Sequence, residues 1–149
     1  MLIATSRFGE VEIMEESIIT FQLGIPGFRK SNRYVLIQPY EDIPIHYMQS
    51  LDEPELAFLV VNPFEFYPNY EITLSDEMKE SLDLQSDEEV AVWCIVSVLD
   101  KLEEATMNLL APLVINTRSK KGDQVILVDS RYQIKHPLFM AQAKHMRED

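Results

Sequence analysis

At 149 residues, 46 % of them hydrophobic, the chain has the length of one domain and can bury roughly two-thirds of its unfolded surface, which excludes a disordered or staple-dependent protein. A net charge of −12 and a single cysteine, Cys94, argue against nucleic-acid or anionic-membrane binding and exclude an internal disulfide framework. No basic-then-apolar leader opens the sequence, and the apolar run over residues 90–96 is far shorter than the about 20 residues of a membrane span, so the expected location is cytoplasmic.

Residues 2–7 and 10–14 predict two strands around Phe8-Gly9, where glycine can supply the positive φ of a hairpin turn. In the second of them Val11 and Ile13 alternate with Glu10 and Glu12, the period of a half-buried strand. Residues 18–21 continue the pattern, and Ile25-Pro26-Gly27-Phe28 then interrupts it with the residues of a type II turn. Strands are expected next at 34–38, 45–49, 56–62 and 70–73, punctuated by Pro39, Pro44, Pro54, Pro63 and Pro68. A proline has no N–H for a ladder, so each must sit at a strand end, an edge or a loop. That spacing favours a meander or barrel over a parallel sheet with crossover helices.

Ser75 predicts a helix N-cap, with Asp76, Glu77 and Glu80 near the positive end of the helix dipole. Met78, Leu82 and Leu84 would face the core, and the polar run 86–89 ends the helix. Residues 90–99 predict a long strand rich in β-branched residues. Residues 113–117 and 124–128 predict a last hairpin around Ser119-Lys120-Lys121-Gly122. The tail 139–149 reads as helical, with Phe139, Ala143 and Met146 on one face. The expected architecture is mainly β: an antiparallel β-barrel-like domain over residues 1–138 with one or two short helices, then the short helical tail.

The sequence offers no catalytic constellation. Cys94 lies within Val-Ala-Val-Trp-Cys-Ile-Val, an apolar setting that hides a thiol and raises its pKa. His46, His136 and His145 show no metal-ligand spacing with one another or with the cysteine. The acidic runs 52–55 and 86–89 do not match a calcium loop. With four glycines in all there is neither a P-loop nor a dinucleotide fingerprint. Arg118, Lys120 and Lys121 lack the aromatic neighbours of an RNA platform. No enzyme, cofactor or metal is expected. The acids are nonetheless segregated: residues 41–89 hold 14 acids and one base, Lys79, while the remainder holds 11 acids and 12 bases. Such a field either keeps the protein soluble or attracts a basic partner.

Five stretches in order resemble the FliW family. They are the Ile19–Phe28 segment with its Gly-Ile-Pro-Gly-Phe turn; Phe58-Leu-Val-Val-Asn-Pro-Phe64 with Tyr67-Pro-Asn-Tyr-Glu71; Thr106-Met-Asn-Leu-Leu-Ala-Pro-Leu-Val-Ile-Asn116; Gly122-Asp-Gln-Val-Ile-Leu127; and Tyr132 through His136-Pro-Leu138. The resemblance implies a bacterial partner switch with an antiparallel barrel-like fold. It would bind flagellin in the cytoplasm and, when free, capture the translational repressor CsrA, releasing flagellin synthesis. Candidate contact residues at strand ends are Asn62, Pro63, Phe64, Tyr70, Asn108 and Pro112. Asp76, Glu77, Glu80 and Asp83 are expected to set a negative field beside the RNA surface of bound CsrA, and Phe28 to plug the barrel. Two rival readings are a small-molecule-binding barrel lined by the same aromatics and an acidic hydrolase with a carboxylate pair.

Overall fold

The computed structural model describes residues 1–128 and 131–139. The N-terminal hairpin forms from β1 (Leu2–Thr5) and β2 (Gly9–Glu12), paired antiparallel. Gly9 takes φ +68° at its turn, a backbone region that other residues enter at a cost. Thr5 Oγ1 fixes the same turn, accepting from the Phe8 N–H and donating to the Gly9 carbonyl, both at 2.8 Å.

The following elements, in chain order, are β3 (Ile19–Phe21), β4 (Arg33–Ile37), β5 (Ile45–Ser50), β6 (Ala57–Val61), α1 (Pro63–Phe66), α2 (Asp76–Ser81), β7 (Val90–Ser97), β8 (Thr106–Met107), β9 (Leu113–Asn116), β10 (Lys121–Gln124) and β11 (His136–Pro137). Among the described residues seven of these strands close a barrel, in the order β3-β4-β5-β6-β7-β9-β10 and back to β3. Each pairing is antiparallel except β10 with β3, which is parallel. The type II turn forms as expected, with Gly27 at φ +89° and the Phe28 N–H donating to the Ile25 carbonyl at 2.7 Å.

Side-chain alternation along the strands builds two kinds of core. Phe21, Tyr34, Met48, Val60, Leu113 and Ile115, with Trp93 packed against them, come from six of the ring strands and fill the interior. Phe21 and Tyr34 meet edge to face at 5.5 Å between centroids, and both are fully buried. An interior occupied by side chains in this way counts against the ligand-holding barrel. Phe28 is 42 % exposed and lies edge-on to Phe58 at 5.0 Å, so it covers one end of that core. The outward-facing Val61, Val92, Cys94 and Val114 are covered by the excursion between β6 and β7 and by later segments, which contribute Tyr70, Leu82, Leu109, Tyr132 and Leu138. The first hairpin covers another outer face, where Ile3 and Ile13 pack on Val35.

Three expectations need correction. Among the described residues, 70–73 do not form a ladder strand and have no sheet partner; they follow α1, a helix that Pro63 starts where a strand end or loop was expected. The strand expected at 124–128 begins earlier, at Lys121. Asn116 Oδ1 takes the N–H groups of Arg118 and Ser119, and Lys120 adopts φ +63°, which tightens the turn and pulls pairing forward. The strand from Val90 stops at Ser97, two residues short of its expected end. The tail reading over 139–149 lies outside the described residues except for Phe139, whose ring stands 6.2 Å from that of Phe66. Among the described residues no helix is long and apolar enough to cross a membrane.

Candidate partner-binding surface

Pro63 has no N–H, so β6 cannot extend its ladder along β7, and the chain leaves the sheet for residues 62–89. Asn62 caps α1, its Oδ1 accepting from the Phe64 N–H at 3.0 Å, and Pro63 occupies the first helical turn. Ser75 caps α2 as expected, accepting from the Met78 N–H at 3.2 Å. The helix ends in a Schellman motif: Leu84 N–H donates to the Lys79 carbonyl at 2.8 Å, and Asp83 N–H to the Glu80 carbonyl at 3.0 Å. Asp83 stands at φ +56°, the position usually held by glycine. Arg118 ties this end to the barrel through the Asp83 carbonyl at 2.8 Å, the Asp83 carboxylate at 3.4 Å and Glu89. Glu89 also accepts from the backbone N–H groups of Gln85 and Ser86, and these bonds with the Arg118 guanidinium hold its carboxyl below the usual range.

Between this excursion and β7 lies a cleft of about 460 Å³, bounded by Phe64, Ile72, Leu74, Lys79, Val90 and Val92, with Asp87 at its edge. Phe64 is 38 % exposed there and packs on Tyr70, with ring centroids 5.5 Å apart. Asp76, Glu77, Glu80 and Asp83 are all exposed. Among the described residues no ion pair holds the first three, whereas Asp83 already faces Arg118.

The candidate contacts therefore separate. Phe64 faces solvent beside the cleft. Tyr70 is 3 % exposed and serves the outer core, its hydroxyl donating to the Leu109 carbonyl at 2.6 Å. Pro63 and Pro112 are buried, so these two and Tyr70 present little surface to a partner. Asn108 lies on a different segment, its Oδ1 accepting from the Ala111 N–H at 2.9 Å. Burial pushes the Cys94 thiol up to about 12, so it remains protonated at neutral pH. His46 packs against Trp93 with ring centroids 4.6 Å apart and planes tilted by 59°, its Nδ1 buried and, among the described residues, without a hydrogen-bond partner. No cluster of metal-ligating side chains occurs among the described residues. Sequence reasoning did not assign Ile72, Leu74, Val90 and Val92 to a site, because apolar residues in strand-like runs read as core. The one available signal was Pro63, which forces a break in the sheet.

A family model described as FliW protein matches residues 2–138. The flagellar assembly factor FliW of Geobacillus kaustophilus (strain HTA426) is 43 % identical over 139 residues, covering 93 % of this chain and 96 % of the relative. That of Bacillus subtilis (strain 168) is 41 % identical over 138 residues, again 93 % and 96 %. A crystal structure of the flagellar assembly factor FliW matches with a TM-score of 0.85 at 41 % identity, covering 93 % of this chain and 97 % of that one. On a family match that spans nearly the whole sequence, and on a shared barrel, this chain belongs to the FliW family of flagellar assembly factors.

Proposed function

We propose that this chain is a cytoplasmic, non-enzymatic partner switch: it binds flagellin and, when free of it, binds CsrA and lifts the repression of flagellin translation. Family membership supports the flagellar role. The observation that carries the CsrA half is the acidic excursion, residues 62–89, which holds nine of the 14 acids of residues 41–89 and Lys79 as its one base. A repressor that binds RNA must neutralise phosphates with Lys and Arg, so it offers the matching charge. Phe64 is the exposed aromatic best placed to anchor such a contact.

The same acids give a means of antagonism. Asp76, Glu77 and Glu80, with a smaller share from the Arg118-paired Asp83, place negative charge where RNA would approach bound CsrA. Screening limits the effect to roughly 8 Å at physiological salt. Charge reversal of these four residues should restore RNA binding to the complex at low salt; unchanged antagonism would refute the electrostatic route. The main test is titration calorimetry against flagellin and CsrA, separately and in competition. Mutual displacement is expected, and binding to neither folded partner would overturn the reading.

A further inference from the structure

The cleft beside Phe64 has the backbone of an unfinished sheet. Thr117 N–H donates to the Glu89 carbonyl at 2.7 Å and Asn108 N–H to the Ile95 carbonyl at 2.9 Å, so the odd-numbered residues of this stretch turn their backbone groups toward β9 and β8. Even-numbered residues therefore face the β6 side. Cys94 finds Val61 there. Two residues earlier Val92 would face Pro63, which has no N–H to give and whose carbonyl is taken by the Tyr67 N–H at 2.8 Å. Val92 is 7 % exposed, and among the described residues the β6–β7 pairing stops at Val61 with Cys94, short of it.

The opposite wall repeats the pattern. The chain at 72–74 lines the same cleft, and among the described residues the N–H groups of Ile72, Thr73 and Leu74 have no hydrogen-bond acceptor. The slot is thus lined by β7 beyond its pairing with β6 and by the unbonded stretch 72–74, with apolar side chains, Phe64, Ile72, Leu74 and Val90, around it. The lining itself carries one charge of each sign, Lys79 and Asp87, and the chain around it is acidic: Glu65 of α1, Asp76, Glu77 and Glu80 of α2, and Glu88 before β7 are all exposed.

We propose that this slot takes an extended segment of CsrA by β-strand addition, apolar residues of that segment entering the cleft and Lys or Arg residues meeting the acidic rim. The inference rests on the CsrA reading above. Of the two proposed partners CsrA is the one whose RNA binding requires exposed bases, which is why it, and not flagellin, is assigned to an acid-rimmed slot.

The test is residue-resolved amide hydrogen exchange on the full chain, alone and saturated with CsrA, with binding followed independently by calorimetry. The expected result is exchange slowed at least tenfold at Val92 and Thr73 on adding CsrA, with intermolecular backbone NOEs to Val92. T73P, which removes a donor on an exposed wall residue, should weaken CsrA about tenfold, and D87K should do the same through the rim. CsrA binding with Val92 exchange unchanged, or slowed without backbone NOEs, would overturn strand addition while the partner reading stands. No heat of binding would remove the partner reading itself, and the inference with it. Val92 protection that is already present in the free chain and lost on dilution would place a second copy in the slot and overturn the assignment.

Discussion

Replacing Gly122 by alanine should destabilise the barrel through a single clash. Gly122 lies on β10, in register with Ile115 of β9 and Phe21 of β3. A Cβ built there would lie 2.8 Å from Cζ of Phe21, 3.0 Å from Cε2 and 3.1 Å from Cε1. Carbon pairs rest at about 3.5–4.0 Å, so the ring must retreat by roughly 0.7 Å or more. It has little room, being fully buried and edge-on to an equally buried Tyr34. Overpacking of this kind costs typically 1–3 kcal/mol. Loss of glycine's freedom in the unfolded chain returns about 0.4–1 kcal/mol, leaving a net loss of about 1–2 kcal/mol. Urea unfolding should show the midpoint falling by roughly 0.5–1 M with the m-value unchanged. Adding F21L, which removes the clashing ring, should make G122A nearly neutral in that background, a coupling read from the double-mutant cycle. Wild-type stability in G122A, or purely additive effects in the cycle, would refute the account.

S75A removes the N-cap of α2 and should cost about 1 kcal/mol in the same urea assay. D83G should raise stability by a few tenths to about 1 kcal/mol, since glycine adopts the φ of +56° without strain and the exposed pair with Arg118 contributes little. Burial lowers the pKa of His46, against an opposing pull from Glu65, and burial lowers that of His136. Below about pH 6.5 the unfolded chain takes up protons before the folded one, so stability should fall as pH drops from there toward the folded pKa values. Midpoints measured across that window should flatten in H46Q, and an unchanged slope would exclude His46 as the origin.

Most of the barrel can be read in the sequence because its strands alternate and its turns use residues with fixed conformational roles. Val11 and Ile13, Pro26-Gly27 and Ser75 each end up in the local geometry that their chemistry dictates. What the sequence did not convey is pairing. Residues 70–73 have the composition of a strand, but a strand needs a neighbour, and among the described residues none reaches this segment. The parallel β10–β3 contact that helps close the ring is equally invisible, since it joins residues about 100 positions apart and depends on global closure. The exposure of the candidate contacts is hidden for a similar reason. Phe64 and Tyr70 are both aromatics near a strand end, and only packing separates the 38 % exposed ring from the 3 % exposed one.

The acidic residues and the sheet defect share one cause. Pro63 ends β6 while β7 still runs beyond its pairing with β6, matched there by β9 alone, so the chain must make an excursion to return to the barrel. An excursion of 28 residues, from Asn62 to Glu89, has only its inner side for the core, and Tyr70 and Leu82 occupy it. Its outer side is free to carry charge without disturbing the strands. Placing the negative field there keeps it off the barrel faces, where like charges on adjacent strands would repel across the ladder. It also places the field near the stretch of β7 that, among the described residues, lies beyond its pairing with β6. On the proposal above, a charged excursion beside an unextended sheet edge suits a basic polypeptide and disfavours nucleic acid, whose phosphates the acids would repel.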